Sequence, residues 1–191
     1  MRTLCLALLL LLPISEPGSA ATPCRVDGAN SSIRFTAWQI FGLPLSGRFK
    51  TFEAKLFLDG ERPERSTAVA AVDTRSVDTG NPESDDFIKS EPMLDSANHP
   101  TAVLASSVFD PGDGGAMVVK GELTLKSVRR PLTIPFRYSL TEAADGSRRV
   151  SADGEFELQR KEFNVGTGVW SNSFLFHDRI AIAVHLEMIC G

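Results

Sequence analysis

From Thr22 onward the chain alternates apolar and polar residues with a period of two almost throughout. Met117, Val119, Gly121, Leu123 and Leu125 fall on one side of a single stretch, with Val118, Lys120, Glu122 and Thr124 on the other. A strand with that pattern buries one face and wets the other. The same alternation predicts strands over about 33–37, 46–58, 67–73, 101–109, 116–126, 131–140, 149–158 and 179–188. Turn residues separate them at 27–32, at Gly42 and Pro44, at Asp59-Gly60 with 62–64, at 111–115 and at 144–147. Pro135, inside one of the runs, predicts an edge or a bulge there.

One helix interrupts the pattern. Asn81 can cap free amides, Pro82 suits the first helical position, and Glu83, Asp85 and Asp86 place negative charge at the positive end of the helix dipole. Phe87 and Ile88 give this segment an apolar side, continued by Met93 and Leu94. Pro92 and Pro100 confine it to one or two short helices. The expected fold is all-β, an antiparallel barrel of about eight strands with a short helical crossover as its lid. Eight strands enclose an interior just wide enough to be filled by side chains or to hold one small ligand. Ala70, Ala102, Gly121, Ala152 and Gly154 are small inward positions. Phe35, Leu104, Leu123, Phe136 and Phe156 are large ones. The pattern leaves both a hollow and a solid interior open. An apolar-lined wall suits a greasy ligand better than it suits chemistry. Phe57 and Phe109 fall on the outward face and are candidate contact residues, with packing under loops an equal alternative.

Residues 1–21 stand apart from this pattern. Arg2, the apolar run 4–12, Pro13 and the small residues 18–21 have the layout of a secretory signal, too short for a membrane span. Pro23 before Cys24 argues against a lipid anchor at that cysteine. Residues 22–191 are then one exported domain, expected in the periplasm, with no membrane-spanning segment. The net charge of -4 lacks the basic face a nucleic acid would need. Removal of the signal leaves Cys24 and Cys190 at opposite ends. A closed barrel makes its first and last strands neighbours, and export brings oxidation, so pairing is expected. The alternatives are two free thiols or a link between molecules.

Candidate chemistry is sparse. His99 and His177 sit in loops. His185 and Glu187 share the outer face of the last strand and supply two ligands where catalytic zinc needs three, so no metal site is expected. Asp85 and Asp86 are adjacent and diverge on a helix. No nucleophile elbow, Walker loop, dinucleotide fingerprint or Cys-x-x-Cys occurs. No catalytic residue and no cofactor are nominated. The segment 160–170 breaks the alternation with Arg160, Phe163, Gly166, Gly168 and Trp170. It reads as a plug at the barrel's end or as the lining of a ligand mouth.

At this segment the chain resembles the YceI-like family of polyisoprenoid-binding periplasmic proteins. Val26-Asp27 with Ser31 to Phe35 resembles the family's opening strand. Gly47-Arg48-Phe49, Phe52 and Leu56 to Asp59 resemble its second. Val77 to Asn81, Asp85, Ile88 to Ser90, Leu94-Asp95 and Pro100 follow its helical crossover. Gly121 to Leu125 with Arg130 to Leu132 matches its central hairpin. Arg160, Phe163, Gly166, Gly168 and Trp170 match its late turn, and Asp178 to Ile180 its last strand. The resemblance implies a lipocalin-like barrel holding a polyprenyl phosphate or an isoprenoid quinone for transport, storage or sensing. Candidate cavity-lining residues are Phe35, Leu56, Ala70, Phe87, Met93, Ala102, Leu104, Leu123, Phe136, Phe156, Phe163, Trp170 and Leu186. Phe87 stands where many members carry histidine and Ser84 where many carry arginine, which implies a grip on the tail more than on the head group. Ser127 and Glu53-Ala54 replace glycines common in the family and are expected to affect turns only. An enzyme acting on such a lipid, or an interaction module in the envelope with no ligand, are the competing readings; oligomeric state is open.

Overall fold

The computed structural model describes residues 21–59, 61–142 and 146–191. The signal expected over 1–21 lies outside these except for Ala21, as do Gly60 and Ala144-Asp145 of two expected turns. Among the described residues eleven strands form: β1 Thr22–Val26, β2 Ser32–Gln39, β3 Pro44–Phe49, β4 Phe52–Leu58, β5 Thr67–Asp73, β6 Val77–Asp78, β7 Thr101–Pro111, β8 Ala116–Leu125, β9 Val128–Glu142, β10 Arg148–Gln159 and β11 Phe176–Cys190. The same residues contain one α-helix, α1, spanning Pro82–Lys89. Neighbours run β1-β4-β5-β7-β8-β9-β10-β11, and β11 pairs back to β1. Eight antiparallel strands therefore close a barrel. Closure removes the free edges that an open sheet of this size would expose.

The most C-terminal strand organises the whole. β11 pairs with β10 along one side from Arg179 to Cys190. Along its other side it holds β2 against 176–185 and β1 against 188–190. At about 3.3 Å per residue its fifteen residues reach roughly 45 Å, so the barrel is elongated. Cys24 stands directly opposite Cys190 in the β1–β11 ladder, and the two form a disulfide.

Several sequence expectations are corrected. The run 46–58 is two strands, because 44–49 pairs with β2 and 52–57 with β5, and Lys50-Thr51 turns the chain between them. β1 and the two-residue β6 are additional; both are too short for alternation to announce. Phe109 does not face outward. A register shift between Ser106 and Val108 inverts the alternation, burying Phe109 and exposing Val108, whereas Phe57 is exposed as expected. Pro135 does mark an edge. β9 pairs with β10 only from Glu142 back to Phe136, so Pro135 stands where the two strands part.

α1 begins as its sequence predicts. Asn81 Oδ1 accepts from the amides of Glu83 and Ser84 at 2.9 and 3.2 Å. Asp85 reaches back out of the helix, and its Oδ1 accepts from the Thr79 amide at 2.7 Å and the Thr79 hydroxyl at 2.6 Å. Those two hydrogen bonds hold the Asp85 carboxyl below its ordinary pKa.

Candidate functional site

The barrel is hollow. One lobe of about 240 Å³ lies at the helix end and a second of about 160 Å³ at the disulfide end. Ala54, Ala70, Leu104, Phe136 and Leu186 line both, so the lobes adjoin at this waist. A cavity of about 150 Å³ lined by aliphatic and aromatic groups stays dry and takes up apolar guests, and both lobes have such walls.

Most polar groups on those walls are already engaged. In the larger lobe these are Thr74 and Arg160. The Thr74 hydroxyl donates to the His99 carbonyl at 2.8 Å. In the smaller lobe Ser66 Oγ accepts from the Asp59 amide at 3.1 Å and Ser106 Oγ from the Ala68 amide at 2.7 Å. Lys55 and Tyr138 complete the polar lining there. A guest therefore meets hydrocarbon along nearly the whole path.

Of the sequence candidates, Phe35, Met93, Ala102, Leu123, Phe156 and Phe163 line the larger lobe, and Leu56 the smaller. Ala70, Leu104, Phe136 and Leu186 line both. Phe87 and Trp170 are not on the wall. Their rings meet edge to face at 4.8 Å, and both contact Phe176, at 5.7 and 5.8 Å. Phe176, which does line the larger lobe, thus has an aromatic backing. An imidazole at residue 87 would sit in that apolar cluster, so the helix here contributes a seal and no polar grip. Gly121 and Gly154 do not enlarge the cavity either. A side chain at Gly121 would run into the Ala105 carbonyl of the facing strand, and one at Gly154 into the Phe136 ring. These glycines let strand and ring approach; the room comes from the alanines.

The segment after β10 closes the helix end. Arg160 is buried, and its guanidinium makes four hydrogen bonds to backbone carbonyls. Nε donates to the His177 carbonyl at 3.0 Å, Nη1 to Val165 and Gly166 at 3.0 and 3.3 Å, and Nη2 to Phe176 at 2.9 Å. Nη2 also lies 3.3 Å from Asp178 Oδ1. Burial pushes the Arg160 pKa down, opposed by the Asp178 charge. Burial pushes Asp178 up, but hydrogen bonds from Lys161 and Ser173 and the charges of Lys161 and Arg160 outweigh it and hold the carboxyl below its ordinary value. Gly166, at φ +79°, gives Nη1 its space. The amides of Gly166 and Thr167 donate to the Pro92 carbonyl at 2.8 and 2.9 Å, tying the segment to the chain after α1. The bonds are those of a plug, and its inner residues Phe163 and Val165 form the cavity's end wall. Alternation could not reveal the role of Arg160, because its partners are carbonyls up to seventeen residues away.

His185 Nδ1 lies 2.7 Å from Asp153 and Nε2 3.6 Å from Glu187 on the outer wall. Among the described residues no group of three potential ligands could hold a metal ion.

An elongated, apolar-lined barrel with a helical crossover and a late arginine turn can be set beside known proteins. Residues 25–188 match the family described as the YceI-like domain. The chain belongs to the YceI-like family. A UPF0312 protein of Ectopseudomonas mendocina is 36% identical over 142 residues, covering 73% of each chain. A UPF0312 protein of Vibrio vulnificus is 32% identical, covering 84% of this chain and 85% of its own. Among solved structures, Burkholderia cenocepacia BcnA superposes with a TM-score of 0.78 at 29% identity, covering 85% of this chain and 98% of that one. A polyisoprenoid binding domain from Saccharophagus degradans, implicated in plant cell wall breakdown, has a TM-score of 0.69 at 12% identity, covering 91% of this chain and all of that one. At that identity the likeness is one of fold.

Proposed function

We propose that this YceI-like protein is a non-catalytic carrier that holds an isoprenoid lipid, a polyprenyl phosphate or an isoprenoid quinone, inside the barrel. The observation that carries this reading is the pair of adjoining lobes, whose polar wall groups are mostly spent on the protein's own backbone. A prenyl tail is apolar along its length. Its burial contributes roughly 25 cal/mol per Å², so a tail running through both lobes gains most of its affinity without polar contacts. The name of the Saccharophagus domain, which shares the fold, points the same way. Under this reading residues 1–21 direct export, the protein works in the periplasm, and the lipid is transported, stored or sensed there. The candidate lining residues act by providing surface. None of them is a general base or nucleophile.

Native mass spectrometry of the exported protein, followed by organic extraction, tests the proposal. A mass increment released as a prenyl lipid or quinone is the expected result. Protein that is recovered empty and also fails to take up added prenyl lipid would refute it.

A further inference from the structure

Residues 35–47 and 163–177 contain no Asp, Glu, Lys or Arg. The fold brings them together at one end. Ile40 N donates to the Leu175 carbonyl at 2.9 Å, and the rings of Phe41 and Phe174 meet edge to face at 6.5 Å. Side chains at this tip point into solvent although they are apolar: Phe41 is 86% exposed, Val169 72%, Phe174 66% and Leu43 60%. Phe41 is held out on a tight turn with a positive φ of 63°, a conformation bulky residues rarely adopt. Both tryptophans of the chain, Trp38 and Trp170, lie in the same two segments.

We infer that this tip is a membrane-contact surface that inserts into the interface of a lipid bilayer. Protruding aromatics on tight turns suit a soft, deformable partner better than a shaped protein groove. Tryptophan and phenylalanine beside uncharged polar residues match the chemistry of the bilayer boundary, where a charge would be costly to bury. Charged groups stand behind the tip, with Lys161 Nζ donating to the Ser173 hydroxyl at 2.7 Å, that hydroxyl donating to Asp178 at 2.9 Å, and Arg179 over the Trp38 ring; the protruding side chains themselves are uncharged, which fits a mode of binding that does not depend on anionic lipid. Phe176 and Ile180, just behind the tip on β11, line the larger lobe, so the contact surface is continuous with the cavity wall. The inference goes beyond the carrier reading and stands without it, because vesicle binding requires no guest in the barrel.

The test is flotation of the mature protein with phosphatidylcholine vesicles, repeated with vesicles containing phosphatidylglycerol, alongside intrinsic fluorescence. Wild type is expected to float with both, with little response to salt, and its tryptophan emission is expected to shift to the blue. Phe41→Ser combined with Phe174→Ser is expected to lower partitioning by roughly tenfold or more, since two exposed rings no longer leave water. Phe57→Ser, on the outer wall, should bind as wild type does. Melting curves confirm that each variant is folded, and the wild-type emission shift keeps the test valid if the double variant is not. Wild type that neither floats nor shifts overturns the inference, as does a folded double variant that binds equally well. Sedimentation showing that the tip drives self-association without vesicle binding would assign the surface to a second copy of the chain, and also overturns it.

Discussion

The ring of Phe136 covers Gly154: a methyl group placed on Gly154 would lie 2.6 Å from Cε1 of that ring and 2.7 Å from Cδ1. Phe136 also lines both lobes of the cavity. Its position at the waist is therefore set by the absence of a side chain on the neighbouring strand.

Gly154→Ala is expected to push the ring toward the waist. Overpacking of this kind costs about 1–3 kcal/mol. Uptake of a long apolar fluorescent probe should fall by more than the loss of stability explains, while a short probe confined to one lobe binds normally. Equal loss for both probes would show that Phe136 does not gate the connection.

Arg160→Met should be among the most damaging single changes. It leaves the carbonyls of Val165, Gly166, Phe176 and His177 without their donor. Buried acceptors left unpaired cost roughly 1–3 kcal/mol each, so a loss of about 3 kcal/mol or more is expected in denaturant titrations. Arg160→Lys should recover little, because an ammonium cannot reproduce the planar fork.

Asp85→Asn tests the loop before α1. The folded-state pKa of Asp85 lies below its ordinary value because of the two bonds from Thr79. The folded state therefore binds fewer protons than the unfolded state in the window between the two values. The stabilisation is complete above the ordinary carboxylate range and is lost as pH falls from that range through the lower folded-state value. The variant should melt lower at neutral pH and show a shallower loss of stability on acidification. An unchanged acid slope would remove Asp85 from this role.

Cys24 and Cys190 close a loop with a sequence separation of 166 residues. In the chain-entropy model this contributes about 5 kcal/mol. Replacing both by serine should lower the melting temperature by roughly 10 °C or more, at about 2–4 °C per kcal/mol for a domain of this size. Reducing agent should lower wild type similarly and leave the double variant unaffected.

The sequence disclosed the barrel because alternation is a local signal, and β5, β8 and β10 fall within a residue or two of where it places them. It failed where pairing partners decide. Nothing in Lys50-Thr51 marks a boundary, yet the strands on either side belong to different parts of the wall. Phe109 has the parity of an outward residue, and only the bulge before it turns it inward. The hollow itself was not legible: Ala70 and Ala102 leave space, whereas Gly121 and Gly154, equally small in the sequence, are consumed by a carbonyl and a ring. Arg160 stands out in the sequence for its company of aromatics and glycines, and its work of stitching β11 to the preceding turn belongs to tertiary structure alone.

β11 braces β10, β2 and β1 at once. Domains begin to organise as they emerge, from the N-terminal end; β1 and β2 find early partners in β4 and β3, yet the second edge of each meets a strand that arrives after every other. Pieces of the sheet can zip up beforehand, but the ring stays open until that last strand is laid down, and then both margins are sealed in one closing event.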